Sequence, residues 1–183
     1  MAEVKRHSIS VLVDNEAGVL SQISRMFSRK GYNIESLAVG TTADPSISRM
    51  TIEVNTDERG IALLCNQLCK LIFVHSVKRL DASNCIRREL VLLKVQTEDS
   101  AACDRVIQIA NIFRASIIDV SKTTLTMAVI GEESKTDAIV SLVEEFGILE
   151  LVRTGTVAVE RGTNTIYEAT KERGEFDYGK NVL

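Results

Sequence analysis

Apolar and polar residues alternate near the start of the chain, with Ile9, Val11 and Val13 on one side and Ser8 and Ser10 on the other, which predicts a half-buried β-strand. After the turn DNEAGVL, residues 14–20, the period changes to that of a helix. Val19, Leu20, Ile23, Met26 and Phe27 recur on one face, Ser21, Gln22, Ser24, Arg25 and Ser28 take the other, and Gly31 marks the end. A second strand is expected over residues 32–40, then a turn at Asp44-Pro45 containing the only proline. In a third strand Met50, Ile52 and Val54 alternate with Arg49, Thr51 and Glu53. Ile61, Leu64, Cys65, Leu68 and Ile72 predict a second helix, and residues 74–80 a fourth strand.

The second half repeats this order. Residues 90–95 read as a strand, Val106, Ile107, Ala110 and Phe113 as a helix, and residues 115–120 with Leu125, Met127 and Val129 as two more strands. Ile139, Leu142, Val143 and Phe146 mark the last helix, and residues 148–159 a final strand interrupted at Gly155. The architecture repeats while the residues do not. The fold class is therefore α+β: two βαββαβ units, each an antiparallel sheet with both helices on one face. The expected boundaries are 1–82 and 83–162, with a charged tail over 163–183. That tail reads as mobile on composition, although Tyr167, Phe176 and Tyr178 leave docking open. Units of fewer than about 80 residues have marginal cores, and uncovered sheet faces and edges invite pairing, so oligomerisation is expected.

Composition narrows the classes of function. With 183 residues, 45% hydrophobic, 26% charged and a net charge of -3, the chain is globular and presents no global positive field to nucleic acid. Aromatics at 4% leave few base-stacking platforms, and the aromatic pattern of RNA-binding sheets is missing. Neither an apolar signal segment nor a membrane-length apolar run occurs, which points to a cytoplasmic location, or the plastid stroma for a plastid-encoded chain. Cys65, Cys69, Cys85 and Cys103 fit reduced core residues; Cys65 and Cys69 sit at helical spacing but lack further ligands, so no metal is expected.

Catalytic signatures are missing. There is no G-x-S-x-G elbow or H-E-x-x-H, and His7 and His75 are isolated in sequence. VIGEESKT, residues 129–136, departs from a phosphate loop because Val129 and Ser134 stand where glycines are required. The candidate chemistry lies in the DNEAGVL turn. There the backbone N–H groups of Gly18, Val19 and Leu20 open a helix N-terminus suited to an anion, and Gly18 allows close approach. Asn15 either caps that helix or reaches a ligand. Asn33, at the expected start of the second strand, either satisfies its own backbone or approaches Asn15 and Gly18 of a neighbouring subunit if second strands pair edge to edge.

Four stretches carry a resemblance: SVLVDNEAGVLSQISRMFSRKGYNIESLAVG, DPSISRMTIEV, RELVLLKV and IFRASIIDVSKTTLTMAVIG. Together, over residues 7–162, they resemble the regulatory small subunit of acetolactate synthase, with Lys30 in place of the arginine of the family's RGYN motif. The resemblance implies two ferredoxin-like domains, the first an ACT domain, and a chain without catalytic activity of its own. Such a chain activates a catalytic large subunit and confers feedback inhibition by a branched-chain amino acid, usually valine, in valine, leucine and isoleucine biosynthesis. No cofactor is expected in this chain, whereas thiamine diphosphate, Mg and FAD belong to the catalytic partner. The effector site is expected between the ACT domains of a homodimer. Asn15, Gly18, Leu20 and Asn33 would hold the polar end of the amino acid, and Ala17, Val19 and Ile34 would form the apolar wall. The alternative is another ACT-domain amino-acid sensor with a different target, and a stand-alone enzyme is a more remote third class.

Overall fold

The computed structural model describes residues 3–169. Within them the chain divides into two compact units, residues 3–85 together with 159–169, and residues 86–158.

The first unit runs β1 (Lys5–Asp14), α1 (Val19–Arg29), β2 (Ser36–Thr41), β3 (Ile47–Thr56), α2 (Glu58–Cys69) and β4 (Val74–Leu80), with sheet order β2-β3-β1-β4. All ladders are antiparallel, and β1 opposes β3 with Ile9 facing Ile52 and Val11 facing Met50. Those odd-numbered β1 positions pack with Val19, Ile23 and Phe27 of α1 and Ile61, Leu64 and Leu68 of α2 in one core, so both helices cover one face of the sheet. Gly31 ends α1 with φ 74°, its N–H bonded to Ser28 O and the Tyr32 N–H to Phe27 O, so the last carbonyls are satisfied. Asp57 caps α2 by accepting from the Gly60 N–H at 2.7 Å.

The second unit repeats the plan with β5 (Cys85–Gln96), α3 (Ser100–Ile112), β6 (Ser116–Val120), β7 (Thr124–Gly131), α4 (Glu133–Val143) and β8 (Ile148–Arg153), and the boundary with the first unit falls within β9 (Val157–Glu160). Its sheet order is β6-β7-β5-β8, with β9 also pairing β5. Val91, Leu93, Val95, Leu125, Met127 and Val129 meet Val106, Ala110, Ile139 and Val143 in a second core. Gly155, with φ 79°, separates β8 from β9 at the expected break.

Three differences from the sequence reading have physical causes. The second strand starts at Ser36 rather than residue 32, because ladder bonding begins only where the Glu35 N–H meets Glu53 O. Strand β5 starts at Cys85 rather than residue 90, since Arg87, Arg88 and Glu89 hide its alternation behind charge. The far face of the first sheet is not uncovered: Ser8, Ser10, Leu12, Thr51, Glu53 and Ser76 are all buried.

Residues 164–169 supply part of that cover. Ile166 is buried, its carbonyl accepts from Ser76 Oγ at 2.8 Å, and Lys78 Nζ donates to Thr165 O at 3.0 Å. Tyr167 belongs to this segment, whereas Phe176, Tyr178 and the rest of 170–183 lie outside the described residues. On the second sheet the far face is apolar and exposed, with Leu92 opposite Val152 and Ile130 opposite Leu90.

Candidate functional site

Strand β1 delivers Asp14 and Asn15 to the end of the first sheet, and both are engaged at once. The Asp14 N–H donates to Phe73 O, and its carboxylate lies 2.6 Å from His75 Nε2. Asn15 is tied to the β2–β3 hairpin by three bonds. Its N–H donates to Ser46 O at 2.7 Å, its Nδ2 donates to Pro45 O at 2.9 Å, and its Oδ1 accepts from Ser48 Oγ at 3.0 Å. It does not cap α1.

The hairpin is itself held by an acid. Asp44 Oδ1 accepts from both the N–H and the hydroxyl of Ser46, at 2.9 and 2.7 Å. Those bonds, the hydroxyl first, hold the Asp44 carboxyl below the usual carboxylate range, with a smaller pull from the charge of His75.

The helix therefore begins bare. Gly18 is its N-cap, left-handed at φ 89°, and no side chain caps the first turn, whereas Asp57 and Asp99 cap α2 and α3. Helix α4 also lacks a side-chain cap. The N–H groups of Leu20 and Ser21 find no acceptor among the described residues, and a Cβ added to Gly18 would meet no atom within 4 Å. Unpaired donors, the positive end of a helix dipole and open space together form a receptive surface for an anion. Ala17 and Leu20 are exposed beside it. Val19 instead points into the core, 5% exposed, and its N–H already donates to Glu16 O at 3.4 Å, so the free donors are those of Leu20 and Ser21 rather than the expected Val19.

Asn33 and Ile34 lie elsewhere. Both are in the loop before β2; Asn33 Nδ2 donates to Glu35 Oε1 at 2.8 Å, and Ile34 packs half-buried against the first core. Their loop is anchored at Glu53, while Asn15 is anchored at Ser48, five residues away on β3. At the rise of an extended strand those anchors are about 17 Å apart. A single chain thus presents the two asparagines toward opposite ends of one sheet.

The sequence reading missed the partners of the turn. The cue for one of them was present, since Asp followed two residues later by Ser is the pattern of a side-chain-closed turn, and that turn carries the carbonyl Asn15 reaches. His75 had no local cue.

Among the described residues no three of His, Cys, Asp and Glu gather as metal ligands, and no helix is long and apolar enough to cross a membrane. Cys65 and Cys69 are half-buried on α2; burial, and then the neighbouring Cys69, push the Cys65 thiol up to about 11, which leaves it protonated at neutral pH.

Comparison with known proteins adds the family context. Residues 9–76 match the family described as AHAS small subunit-like ACT domain, and residues 88–162 the family described as small subunit of acetolactate synthase. The acetolactate synthase small subunit of Aquifex aeolicus is 46% identical over 159 residues, covering 87% of this chain and 83% of that one. The probable acetolactate synthase small subunit of Methanothermobacter thermautotrophicus is 42% identical over 164 residues, covering 90% and 98%. The crystal structure of the acetolactate synthase small subunit from Thermotoga maritima aligns with TM-score 0.82 at 34% identity, over 87% of this chain and 99% of that one.

Proposed function

We propose that this chain, which belongs to the acetolactate synthase small-subunit family, is the non-catalytic regulatory subunit of that enzyme and carries the feedback site for a branched-chain amino acid. It acts in the cytoplasm on a catalytic large subunit, which holds the thiamine diphosphate, Mg and FAD of the reaction. The observation that carries this reading is the bare N-terminus of α1 at Gly18, open where three neighbouring elements are closely tied together.

The site is made by two copies. Strand β2 is an edge strand with a neighbour on one side only, so it is available to pair with β2 of a second copy. Antiparallel pairing about a two-fold axis sets the Ser36 end of one β2 beside the Thr41 end of the other, next to the hairpin that holds Asn15. Asn33 of one chain then faces Asn15 and Gly18 of its partner. The effector's carboxylate takes the free N–H groups of Leu20 and Ser21 beside Gly18, and the asparagine side-chain carbonyls take the ammonium. Ala17 and Ile34 border the branched side chain. An effector bound there favours one dimer arrangement over another, and coupling of about 1–3 kcal/mol to the catalytic subunit is typical of such a shift.

Calorimetric titration of the chain with valine, leucine and isoleucine, alone and with the catalytic subunit, tests the reading. Saturable binding that Gly18→Asp abolishes supports it, with the mutant still activating the catalytic subunit. Absence of binding in both settings, or unchanged binding by Gly18→Asp, overturns the site.

A further inference from the structure

Helix α1 ends in a groove that the effector site does not use. Gln22, Arg25, Met26 and Arg29, one stripe of α1, face Gln67 and Leu71 from α2 and its C-terminal end across an opening of about 410 Å³, closed at one end by Lys30. Met26 and Leu71 form an apolar floor continuous with the first core, and Ile72 stands almost fully exposed just beyond Leu71. The rim is cationic.

The charge of this surface runs against the rest of the chain. The protein carries a net charge of -3, yet residues 17–34 and 59–80 contain no Asp or Glu at all. The same segments present Arg25, Arg29, Lys30, Arg59 and Lys70. Within these segments Arg79 pairs with Glu58, and in the second unit Arg88 pairs with Glu132, Arg105 with Glu145 and Lys94 with Glu150. Arg25, Arg29 and Lys30 have no carboxylate partner among the described residues.

Helix dipoles account for part of this, since Arg29, Lys30 and Lys70 sit at helix C-termini where cations are favoured. They do not account for Arg25, mid-helix, nor for a first turn of α1 without an acid and two helices without i,i+4 ion pairs between them. A soluble helix face that forgoes every local carboxylate leaves its cations for a carboxylate supplied from outside.

We infer that the α1–α2 groove is a docking surface for an acidic, apolar-anchored segment of the catalytic subunit. This rests on the regulatory reading above and locates the partner contact within it. The groove extends from Gln22 to Arg29, eight residues of α1 with a rise of about 10 Å, which suits one or two turns of a helix or a short extended segment. An apolar side chain of that segment seats on Met26 and Leu71, and flanking carboxylates meet Arg25, Arg29 and Lys30. Because α1 receives the effector at its N-terminus and the partner along its second half, one rigid helix joins the two sites.

The test measures affinity of the full chain for the purified catalytic subunit at two ionic strengths. The variants are Arg25→Glu/Arg29→Glu, the milder Arg25→Gln/Arg29→Gln, and Lys122→Glu, on an exposed loop of the second unit, as a charge control. Far-UV circular dichroism, effector calorimetry and solution mass are followed alongside. The expected result is a loss of at least about tenfold for the double Glu variant, a smaller loss for the Gln variant, and a shallower salt dependence for both than for wild type. Effector binding, mass and the Lys122→Glu affinity should stay at wild-type values.

Wild-type affinity and salt dependence in both double variants would overturn the surface while leaving the regulatory reading intact. A changed solution mass with unchanged partner affinity would also overturn it, since the groove would then be a contact between copies of this chain. Failure of the wild-type chain to bind the catalytic subunit would bring down the regulatory reading and this surface together.

Discussion

Ser48 Oγ donates to Asn15 Oδ1 at 3.0 Å, joining the turn before α1 to a strand 33 residues further along the chain. With the bond from Asn15 Nδ2 to Pro45 O, it fixes the direction in which the chain enters the helix, and hence where the free N–H groups at Gly18 point. The asparagine of the motif is therefore a brace for the anion surface within its own chain.

Asn15→Ala removes both side-chain bonds from a site open to water, where each is worth about 1 kcal/mol or less. A stability loss of about 1 kcal/mol in urea unfolding is expected, with effector affinity falling because the turn is no longer braced. Asn15→Asp keeps the acceptor for Ser48 and loses the donor to Pro45, so its stability should fall between the two.

At Gly18 the cost of a side chain is conformational. A methyl would meet no atom, but φ 89° is a backbone region that L-residues avoid, so Gly18→Ala should destabilise by about 1–2 kcal/mol. Gly18→Asn should cost less, because Asn tolerates the left-handed region. Unfolding midpoints at unchanged m-value check the ordering.

In the second unit Glu89 is buried and accepts from Arg153 Nη1 at 2.8 Å and from the Thr136 hydroxyl, while Arg153 also reaches Asp137 at 2.5 Å. Arg153→Met strands the buried carboxylate. The expected loss is about 2 kcal/mol, less than for a fully desolvated pair because Arg153 keeps contact with water. Adding Glu89→Gln should recover part of it, which a double-mutant cycle reads directly.

Ile166 anchors the returning segment on the far face of the first sheet. Ile166→Ala should cost about 2 kcal/mol. Amide hydrogen exchange should quicken around Ser76 and Lys78, which lose their carbonyl partners, and stay unchanged in β5 to β7.

Two exposed turns make stability depend on acid pH. Ser46 holds the Asp44 carboxyl below its ordinary value, and the Ser83 N–H, followed by its hydroxyl, does the same for Asp81. A carboxyl whose folded pKa is depressed adds stability that is complete above its unfolded value, about 4, and is lost as pH falls through the folded value. The melting temperature should therefore drop below about pH 4, and less steeply in Asp44→Asn/Asp81→Asn.

The sequence by itself determined the two cores and the position of the bare turn. Ile9, Val11 and Val13, then Val19, Ile23 and Phe27, announce a strand and a helix because side-chain direction repeats every 2 and every 3.6 residues, a signal carried within a dozen neighbours. Gly31 and Gly155 were legible for the same reason, as local breaks in a local period. Only the tertiary structure decided what Asn15 holds, that Asn15 and Asn33 belong to opposite ends of one sheet, and that Ile166 returns to Ser76 ninety residues earlier. Those relationships join residues far apart in sequence through hydrogen bonds and packing. No period in the chain encodes them; which groups meet is set by how the strands register once the cores have formed.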